Sequence, residues 1–398
     1  MSTVQSFKLS WLQYPFLASL LLFDIIFIKN PPIWCTLLLA TLLALSPLIP
    51  YVRRFTVPSM AIFTWLITFY AVQFIPNYLK PQHIFVNLLP TLERIIYGAN
   101  LSEIISQHTN DVLDILAWLP YGIIHYAFPF IFAFILFIFG PPKSVAVFAV
   151  AFGYMNLAGV LTQLLFPTSP PWYELSYGSA PADYSVHGQP GGLARIDGIL
   201  GISLYGKTFG NSPLVFGAFP SLHSGCATIE MLFLSWLFPK MRAYAVFHVM
   251  WMWFATMYLT HHYLIDLVGG SIYATLAFFA FRRHLPVIRP ECLTRLDYIE
   301  SKVPVKRTVG NFIRSIEMEW FVQKLDMMYH EDPETIYFKL PQQHIPLQER
   351  RDKVNHITIT HREHDNDDDD SYDTSPTCSG PPSPLTPHSP ISDVFIHK

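Results

Sequence analysis

Long apolar stretches alternate with short polar segments along the first 285 residues of the chain. A helix needs about 20 mostly apolar residues to cross the hydrocarbon core of a bilayer, and eight stretches approach that length. They lie at roughly 11–28, 33–49, 58–76, 119–140, 143–166, 219–238, 242–260 and 264–283. Because the first two are short or interrupted by proline, the pattern predicts an all-α, polytopic membrane bundle of six to eight transmembrane helices.

Basic residues in the short connections orient this bundle, since cytoplasmic loops of membrane proteins are enriched in Lys and Arg. With the N-terminus in the cytoplasm, the short connections place these basic residues on the cytoplasmic side: Arg53, Arg54, Lys143, Lys240, Arg242, Arg282 and Arg283. The two long connections, at about 77–118 and 167–218, then face the lumen or the exterior. Asn100 begins an Asn-Leu-Ser triplet in the first of them, an N-glycosylation acceptor that is usable only on that side.

The composition agrees with a protein that resides in a bilayer, because 51% of the residues are hydrophobic and only 14% are charged. The formal net charge of -3 gives no basic excess for binding nucleic acid, so we expect no nucleic-acid partner. The cysteines lie too far apart for a zinc or redox motif: Cys35, Cys226, Cys292 and Cys378. We therefore expect no disulfide framework, no metal site and no cofactor.

The chain divides into four predicted regions. Residues 1–118 hold the first transmembrane helices and the first lumenal loop, 119–285 the catalytic transmembrane core, 286–344 a cytoplasmic amphipathic segment, and 345–398 an acidic tail rich in Pro and Ser. The stretch 309–328 has the apolar spacing of an amphipathic helix that lies on a membrane or a partner. The tail is predicted to be disordered and cytoplasmic, and either phosphorylation at its Ser-Pro and Thr-Pro sites or a merely solvating role fits it.

Two polar clusters interrupt the apolar pattern at predicted helix ends, where costly ionisable groups point to function. The first, residues 219–225, reads Phe-Pro-Ser-Leu-His-Ser-Gly and opens the sixth predicted helix. Proline suits the first turn, and Ser221 and Ser224 can cap free N–H groups. His223 therefore lies near a helix N-terminus that attracts an anion. This cluster is a candidate for binding a phosphate-bearing substrate.

The second cluster, residues 260–266, reads Thr-His-His-Tyr-Leu-Ile-Asp and joins the seventh and eighth predicted helices. His262 and Asp266 are four residues apart, so they share one helix face. The carboxylate can hold one ring nitrogen of His262 and leave the other free to attack. A short turn near Lys240 returns the chain to the same side, so His223 and His262 are predicted at one membrane depth.

These residues predict phosphoryl transfer through a phosphohistidine without a metal. His262 would attack phosphorus and Asp266 would orient it, while His223 would protonate the leaving alcohol and then deprotonate the acceptor hydroxyl. His261 is expected to shape the pocket, with a role as the nucleophile as the alternative.

Other polar residues show weaker indications of a functional role. Arg195 and Lys207, in the second long connection, could hold phosphate oxygens, or either could be an exposed loop charge. Each of His125, His187 and His248, taken singly, is typical of a hydrogen-bonded interface residue.

The motifs PSLHSG and HHYLID resemble the second and third signature motifs of the type-2 phosphatidic acid phosphatase superfamily. The longer runs GAFPSLHSGCAT, MYLTHHYLIDLVGG, FPTSPPWYE and GLARIDGILG are similar to those of the fungal inositol phosphorylceramide synthases, over most of residues 30–285. The resemblance implies a superfamily catalytic core that moves phosphoinositol from phosphatidylinositol to ceramide and releases diacylglycerol. It also implies a Golgi membrane location, a lumenal active site and a small membrane regulatory subunit as a partner.

The departures from the phosphatases concern positive charge. Their first motif carries Lys and an Arg-Pro pair, whereas residues 166–172 read Phe-Pro-Thr-Ser-Pro-Pro-Trp, and Thr256 stands where they place an Arg. A pocket with few cations suits a phosphodiester, which carries one negative charge, better than a phosphomonoester dianion. This favours the lipid-to-lipid transferase over its same-class rivals, a lipid phosphate phosphatase or a sphingomyelin-type synthase, which differ in the head group released.

A membrane transporter is the rival from another class, since transporters place polar residues near the bilayer midplane. No internal repeat is visible, however, and the ionisable residues gather at one membrane side. A purely structural role leaves the constellation of His223, His262 and Asp266 unexplained.

Overall fold

The computed structural model describes residues 2–300 and Ser315, with side chains from Leu12 onward. Apart from Ser315, the predicted amphipathic helix at 309–328 lies outside the described residues, as does the predicted tail at 345–398. Within the described part of the chain the structure is helical, and its β pairing is confined to isolated bridges. The predicted all-α fold is therefore confirmed.

The helices are numbered in chain order. They are α1 (Ser2–Phe27), α2 (Ile33–Leu45), α3 (Pro50–Ala71), α4 (Leu88–Tyr97), α5 (Leu101–Ser106), α6 (Asp111–Trp118), α7 (His125–Phe139), α8 (Ser144–Leu165), α9 (Pro171–Tyr177), α10 (Leu193–Leu200), α11 (Leu204–Gly210), α12 (Leu222–Leu237), α13 (Arg242–Tyr258), α14 (Leu264–Phe281) and α15 (Arg295–Glu300). A π-helical turn at Leu119–Ile124 joins α6 and α7 into one segment. Each of the eight predicted apolar stretches falls on one of these helices.

Four helical segments of the described chain are long and apolar enough to cross a bilayer by length and composition. They are Pro50–Phe74, Asp111–Phe139, Ser144–Leu165 and Leu264–His284. The helices α12 and α13, with 16 and 17 residues, are shorter, as are the apolar helices Leu12–Phe27 and Ile33–Leu48. The chain is thus a polytopic membrane bundle in which helices of unequal length pack together.

The apolar stretch predicted from about residue 119 belongs to a longer helical segment that begins at Asp111. The side chain of Asn110 caps it by accepting the N–H of Leu113 at 3.0 Å. The first turn contains two aspartates, Asp111 and Asp114. The pattern of apolar residues therefore does not indicate where this helix begins. The predicted division between 1–118 and 119–285 therefore falls inside a continuous helix.

The core of the bundle lies where α12 packs against α8, α13 and α14. Most of α12 is buried, and the aromatic side chains around it meet edge to face. These are Phe132, Phe148, Phe233 and Phe278. Such pairs add to the gain from burying large apolar surfaces, so α12 is fixed by neighbours on several sides.

The starts of α12 and α14 approach each other closely. The N–H of Ser221 donates to the carbonyl of Asp266 at 3.0 Å. Gly270 permits this approach, since a Cβ added there would lie 2.1 Å from the carbonyl oxygen of Ser221. Ser221 also caps α12, because its Oγ accepts the N–H of Ser224 at 3.3 Å. The two predicted polar clusters therefore begin neighbouring helices at one end of the bundle.

The two long connections cover this same end. We call α4, α5, α9, α10 and α11, with their connecting loops, the loop layer. Parallel bridges join Phe85 to Thr168 and Thr168 to Gly217, which ties both connections to the segment before α12. Ser102 Oγ donates to the carbonyl of Met257, near the end of α13, at 2.8 Å. The loop layer thus encloses both polar clusters.

Asn100 is not a free glycosylation acceptor in this fold. Its side chain is buried, and its Oδ1 accepts the N–H of Glu103 at 3.2 Å as the cap of α5. Its Nδ2, the atom that would carry a glycan, donates to Glu174 Oε2 at 2.8 Å. In the folded chain the triplet therefore serves as a helix cap, and its use as a glycosylation acceptor stays a prediction.

Gly270→Ala tests the close approach of α12 and α14. The added methyl group meets backbone rather than a flexible side chain, so we expect a loss of about 1–3 kcal/mol in folding stability from overpacking. Thermal unfolding of the purified protein in detergent measures this loss. Gly198→Ala is the matched control, since a Cβ there has no atom within 4 Å; equal midpoints for the two variants would contradict the packing described.

Candidate active site

His223, His262 and Asp266 lie in one hydrogen-bonded row. Nδ1 of His262 is 3.0 Å from Oδ2 of Asp266, and Nε2 of His262 is 3.3 Å from Nδ1 of His223. Asp266 is completely buried. A proton on Nδ1 that is donated to the carboxylate leaves Nε2 of His262 unprotonated. The structure thus brings together the three predicted residues, with the free nitrogen of His262 facing His223.

The two histidines of the loop before α14 are held as neutral rings. Burial lowers the pKa of His262 to about 3, while the carbonyl of Ala218 acts in the opposite direction. Burial, and then the proximity of His262, lower the pKa of His261 to about 3 as well, against a raising effect of the Pro190 carbonyl. A neutral imidazole retains the lone pair that a nucleophile needs.

His261 is engaged by the loop layer. Its Nε2 lies 3.0 Å from the carbonyl oxygen of Pro190, and its ring contacts Phe209 at 4.6 Å between centroids. These contacts hold one ring nitrogen away from His223. They agree with the expectation that His261 shapes the pocket, and they favour His262 over it as the nucleophile.

An aromatic column supports the rings of His223 and His261. Tyr121 stacks on His223 at 4.3 Å and on His261 at 5.3 Å between centroids, and His125 contacts the ring of His223 at 4.5 Å. Tyr121 belongs to the π-helical turn between α6 and α7, a type of distortion that is frequent at functional sites. Sequence reasoning gave Tyr121 no role, although Pro120 inside an apolar helix was the available signal.

Ser221 and Ser224, which were expected to bind substrate, are occupied by protein contacts. Ser221 caps α12, as described above. Ser224 Oγ donates to the carbonyl of Leu267 at 2.7 Å and accepts from Trp253 Nε1 at 2.7 Å. It also lies 2.9 Å from Ser271 Oγ. Ser224 would have to give up one of its bonds to contact a substrate, whereas the hydroxyl hydrogen of Ser221 can still donate. Substrate binding by these two hydroxyls stays a prediction.

Arg195 and Lys207 differ in their surroundings. Arg195 Nε donates to both carboxylate oxygens of the buried Asp114, at 2.8 and 3.0 Å, and its guanidinium lies 5.3 Å from the centre of the Tyr258 ring. Lys207 is exposed on α11. The charge of Arg195 is thus balanced within the protein by a partner, Asp114, that sequence reasoning missed. Phosphate binding by either cation stays a prediction.

The positions where the phosphatases carry cations hold neutral side chains that brace the site. Thr168 Oγ1 accepts the N–H of Phe219 at 3.0 Å, and Ser169 Oγ donates to the carbonyl of Val86 at 2.9 Å. Thr256 Oγ1 donates to the carbonyl of Trp253 at 3.0 Å. At the start of α12, the N–H of Ser224 donates to Ser221 Oγ and that of Gly225 to the Ser221 carbonyl. Anion binding at this helix start, by the N–H groups of Leu222 and His223, stays a prediction.

Comparisons with known proteins place these residues in a known family. The family model described as the PAP2 superfamily matches residues 89–280. The inositol phosphorylceramide synthase catalytic subunit of Schizosaccharomyces pombe is 52% identical over 294 residues, which cover 73% of this chain and 69% of that protein. The inositol phosphorylceramide synthase of Candida albicans is 48% identical over 294 residues, covering 72% of this chain and 61% of that protein.

The catalytic subunit of the same synthase from Saccharomyces cerevisiae is 46% identical over 331 residues, covering 81% of this chain and 82% of that protein. No solved structure matches this chain.

Asp114→Ala tests the ion pair at the edge of the site. It leaves the guanidinium of Arg195 without its partner, and since the Arg195 side chain is 34% exposed, we expect a loss of about 1–3 kcal/mol in stability. Thermal unfolding in detergent measures it. Asp111→Ala, an exposed carboxylate in the same helical turn, is the control, and an equal effect of both substitutions would contradict the role given to the pair.

Proposed function

This chain belongs to the inositol phosphorylceramide synthase family of the PAP2 superfamily, and we propose that it transfers phosphoinositol from phosphatidylinositol to ceramide and releases diacylglycerol. The observation that carries this function is the row of Asp266, His262 and His223, with a free imidazole nitrogen beside a helix N-terminus. Such a row provides a nucleophile, the group that orients it and an acid–base partner.

The first step forms a covalent intermediate. Nε2 of His262 attacks the phosphorus of phosphatidylinositol, and the bond from phosphorus to the glycerol oxygen breaks with its electron pair on oxygen. The anionic phosphodiester beside the ring of His223 favours the imidazolium form that this step needs. In that form His223 gives the glycerol oxygen a proton, so diacylglycerol leaves as a neutral alcohol. Asp266 stabilises the positive charge that develops on the ring of His262.

The second step restores the enzyme. The primary hydroxyl of ceramide attacks phosphorus and gives its proton to the now neutral His223, while the bond from phosphorus to Nε2 of His262 breaks. One phosphodiester replaces another, and the protonation states of both histidines return to those at the start. The burial of His261 and His262 at 5% and 6% exposure supports transfer to a lipid hydroxyl over transfer to water.

The charge of the site supports a phosphodiester donor. The phosphatase cation positions are occupied by hydroxyl side chains already engaged in the fold, such as Thr168 and Thr256, and Arg195 is paired with Asp114. A single negative charge near the N–H groups of Leu222 and His223 needs less compensation than the two charges of a phosphomonoester.

We also infer that the enzyme resides in the Golgi membrane, with the loop layer toward the lumen and the chain after α14 in the cytoplasm. The basic residues at the end of α14, Arg282 and Arg283, support this orientation. A small membrane regulatory subunit is the proposed partner. Among the described residues little covers the apolar helix α2, since Thr36 is its one buried residue. Within that part of the chain its surface is available to lipid or to such a subunit.

The decisive assay uses membranes that contain the wild type, His262→Ala or His223→Ala, with fluorescent ceramide and phosphatidylinositol in EDTA. We expect an anionic phosphoinositol-containing sphingolipid from the wild type, and a loss of about 10²- to 10⁴-fold in either variant. His108→Ala is the control, since His108 is exposed between α5 and α6.

Release of phosphate, or of a choline-type product from another donor, would replace the synthase assignment with one of its same-class rivals. Activity of both histidine variants at the wild-type level would show that the site itself is assigned wrongly.

Tyr121→Leu tests the aromatic column. Stacking of aromatic rings contributes about 0.5–1.5 kcal/mol, so the loss of a surface that aligns His223 is expected to lower kcat by roughly 2- to 13-fold. Phe130→Leu, on the same helical segment but 79% exposed, is the control. A kcat for Tyr121→Leu equal to that of the control would leave the column with no part in the reaction.

A further inference from the structure

Glu93 is a completely buried carboxylate that the proposed mechanism does not use. It lies on α4 in the loop layer, and its Oε1 accepts the N–H of Leu264 at 3.2 Å, while its Oε2 accepts the N–H of Ile265 at 3.1 Å. Leu264 and Ile265 are the first two residues of α14 and stand between His262 and Asp266. A side chain from a distant helix therefore caps the helix that carries the catalytic carboxylate.

The local sequence of α14 explains why an external cap is needed. The residue before the helix is Tyr263, whose side chain makes no capping bond. The first N–H groups of a helix need acceptors when they are buried, and a carboxylate is favoured there by the helix dipole. Burial raises the pKa of Glu93, against the lowering effect of the N–H groups of Ile265, Leu264 and Leu101.

A second carboxylate holds the preceding residue. Glu174 Oε2 accepts the hydroxyl of the buried Tyr263 at 3.1 Å, and its other oxygen pairs with Arg94, the residue next to Glu93 on α4. The helix α4 thus contacts three consecutive residues, 263–265, directly or through Glu174. These three residues span the interval between the nucleophile and the group that orients it.

We infer that Glu93 is a positioning residue for the transfer reaction. By fixing the first turn of α14, it sets Oδ2 of Asp266 against Nδ1 of His262 and so aims Nε2 at phosphorus. This inference rests on the proposed function. A glutamine at this position keeps the size of the side chain, but its amide has only one acceptor oxygen. That oxygen can accept one of the two backbone N–H groups of α14, and the amide NH₂ group would then face the other.

The first test compares Glu93→Gln with the wild type in the phosphoinositol transfer assay. Since a small misplacement of reacting groups can cost about 10²-fold in rate, we expect kcat to fall by roughly 10- to 100-fold, with KM for both lipids within about twofold. Rates are normalised to folded enzyme by size-exclusion chromatography in detergent. Glu103→Gln is the matched control, a partly exposed carboxylate in the same layer whose side chain does not cap α14.

The second test changes the other partner of the bond. Leu264→Pro removes the N–H that Glu93 Oε1 accepts, at a first helical position that tolerates proline, after a residue with extended backbone. We expect a smaller fall in kcat than for Glu93→Gln. We also expect the double variant to be no slower than Glu93→Gln alone, because the bond that Leu264→Pro removes is one of the two that Glu93→Gln already disrupts.

The outcomes separate the inference from the proposed function. A wild type that forms no phosphoinositol-containing sphingolipid would overturn the function itself. An active wild type with Glu93→Gln at the level of Glu103→Gln would overturn the inference alone. So would additive losses in the double variant, or a loss confined to KM, since either would mean that Glu93 does not act through the start of α14.

Discussion

The contact between the starts of α12 and α14 is the interaction on which the site depends. The N–H of Ser221 donates to the carbonyl of Asp266, and Gly270 leaves room for the Ser221 carbonyl. This close approach fixes His223 on one helix relative to His262 before the other, at 3.3 Å between ring nitrogens. A bundle with a Cβ at the contact would separate the two histidines, and neither alone provides both a nucleophile and an acid–base partner.

The membrane environment explains the supports around this contact. Unpaired polar groups are expensive in or beside a bilayer. The polar groups around a buried pair such as His262 and Asp266 therefore need hydrogen-bond partners from a protein layer. The loop layer provides it through side chains far away in sequence, including Thr168 beneath the start of α12 and Glu93 at the start of α14. The same layer limits access of water, which suits transfer between two lipids.

The sequence predicted what depends on local spacing. The apolar stretches indicated the helices, and the interval of four residues indicated the pairing of His262 with Asp266. It could not predict pairings between distant segments, because periodicity carries no information about them. Glu93 caps a helix 171 residues away. Asp114 forms an ion pair with Arg195, a residue that was a candidate for binding phosphate. Tyr121 was missed because a buried aromatic residue in an apolar helix is typical of packing.

The most direct test of the central claim is the release of diacylglycerol in the absence of ceramide. Purified enzyme is mixed with phosphatidylinositol labelled in its inositol ring. The label bound to protein is counted, and the diacylglycerol released is quantified separately. The two-step mechanism predicts a burst of diacylglycerol that matches the amount of enzyme, with label retained on His262 until ceramide is added. Diacylglycerol that appears only after ceramide is present, with no label on the protein, would contradict a covalent intermediate.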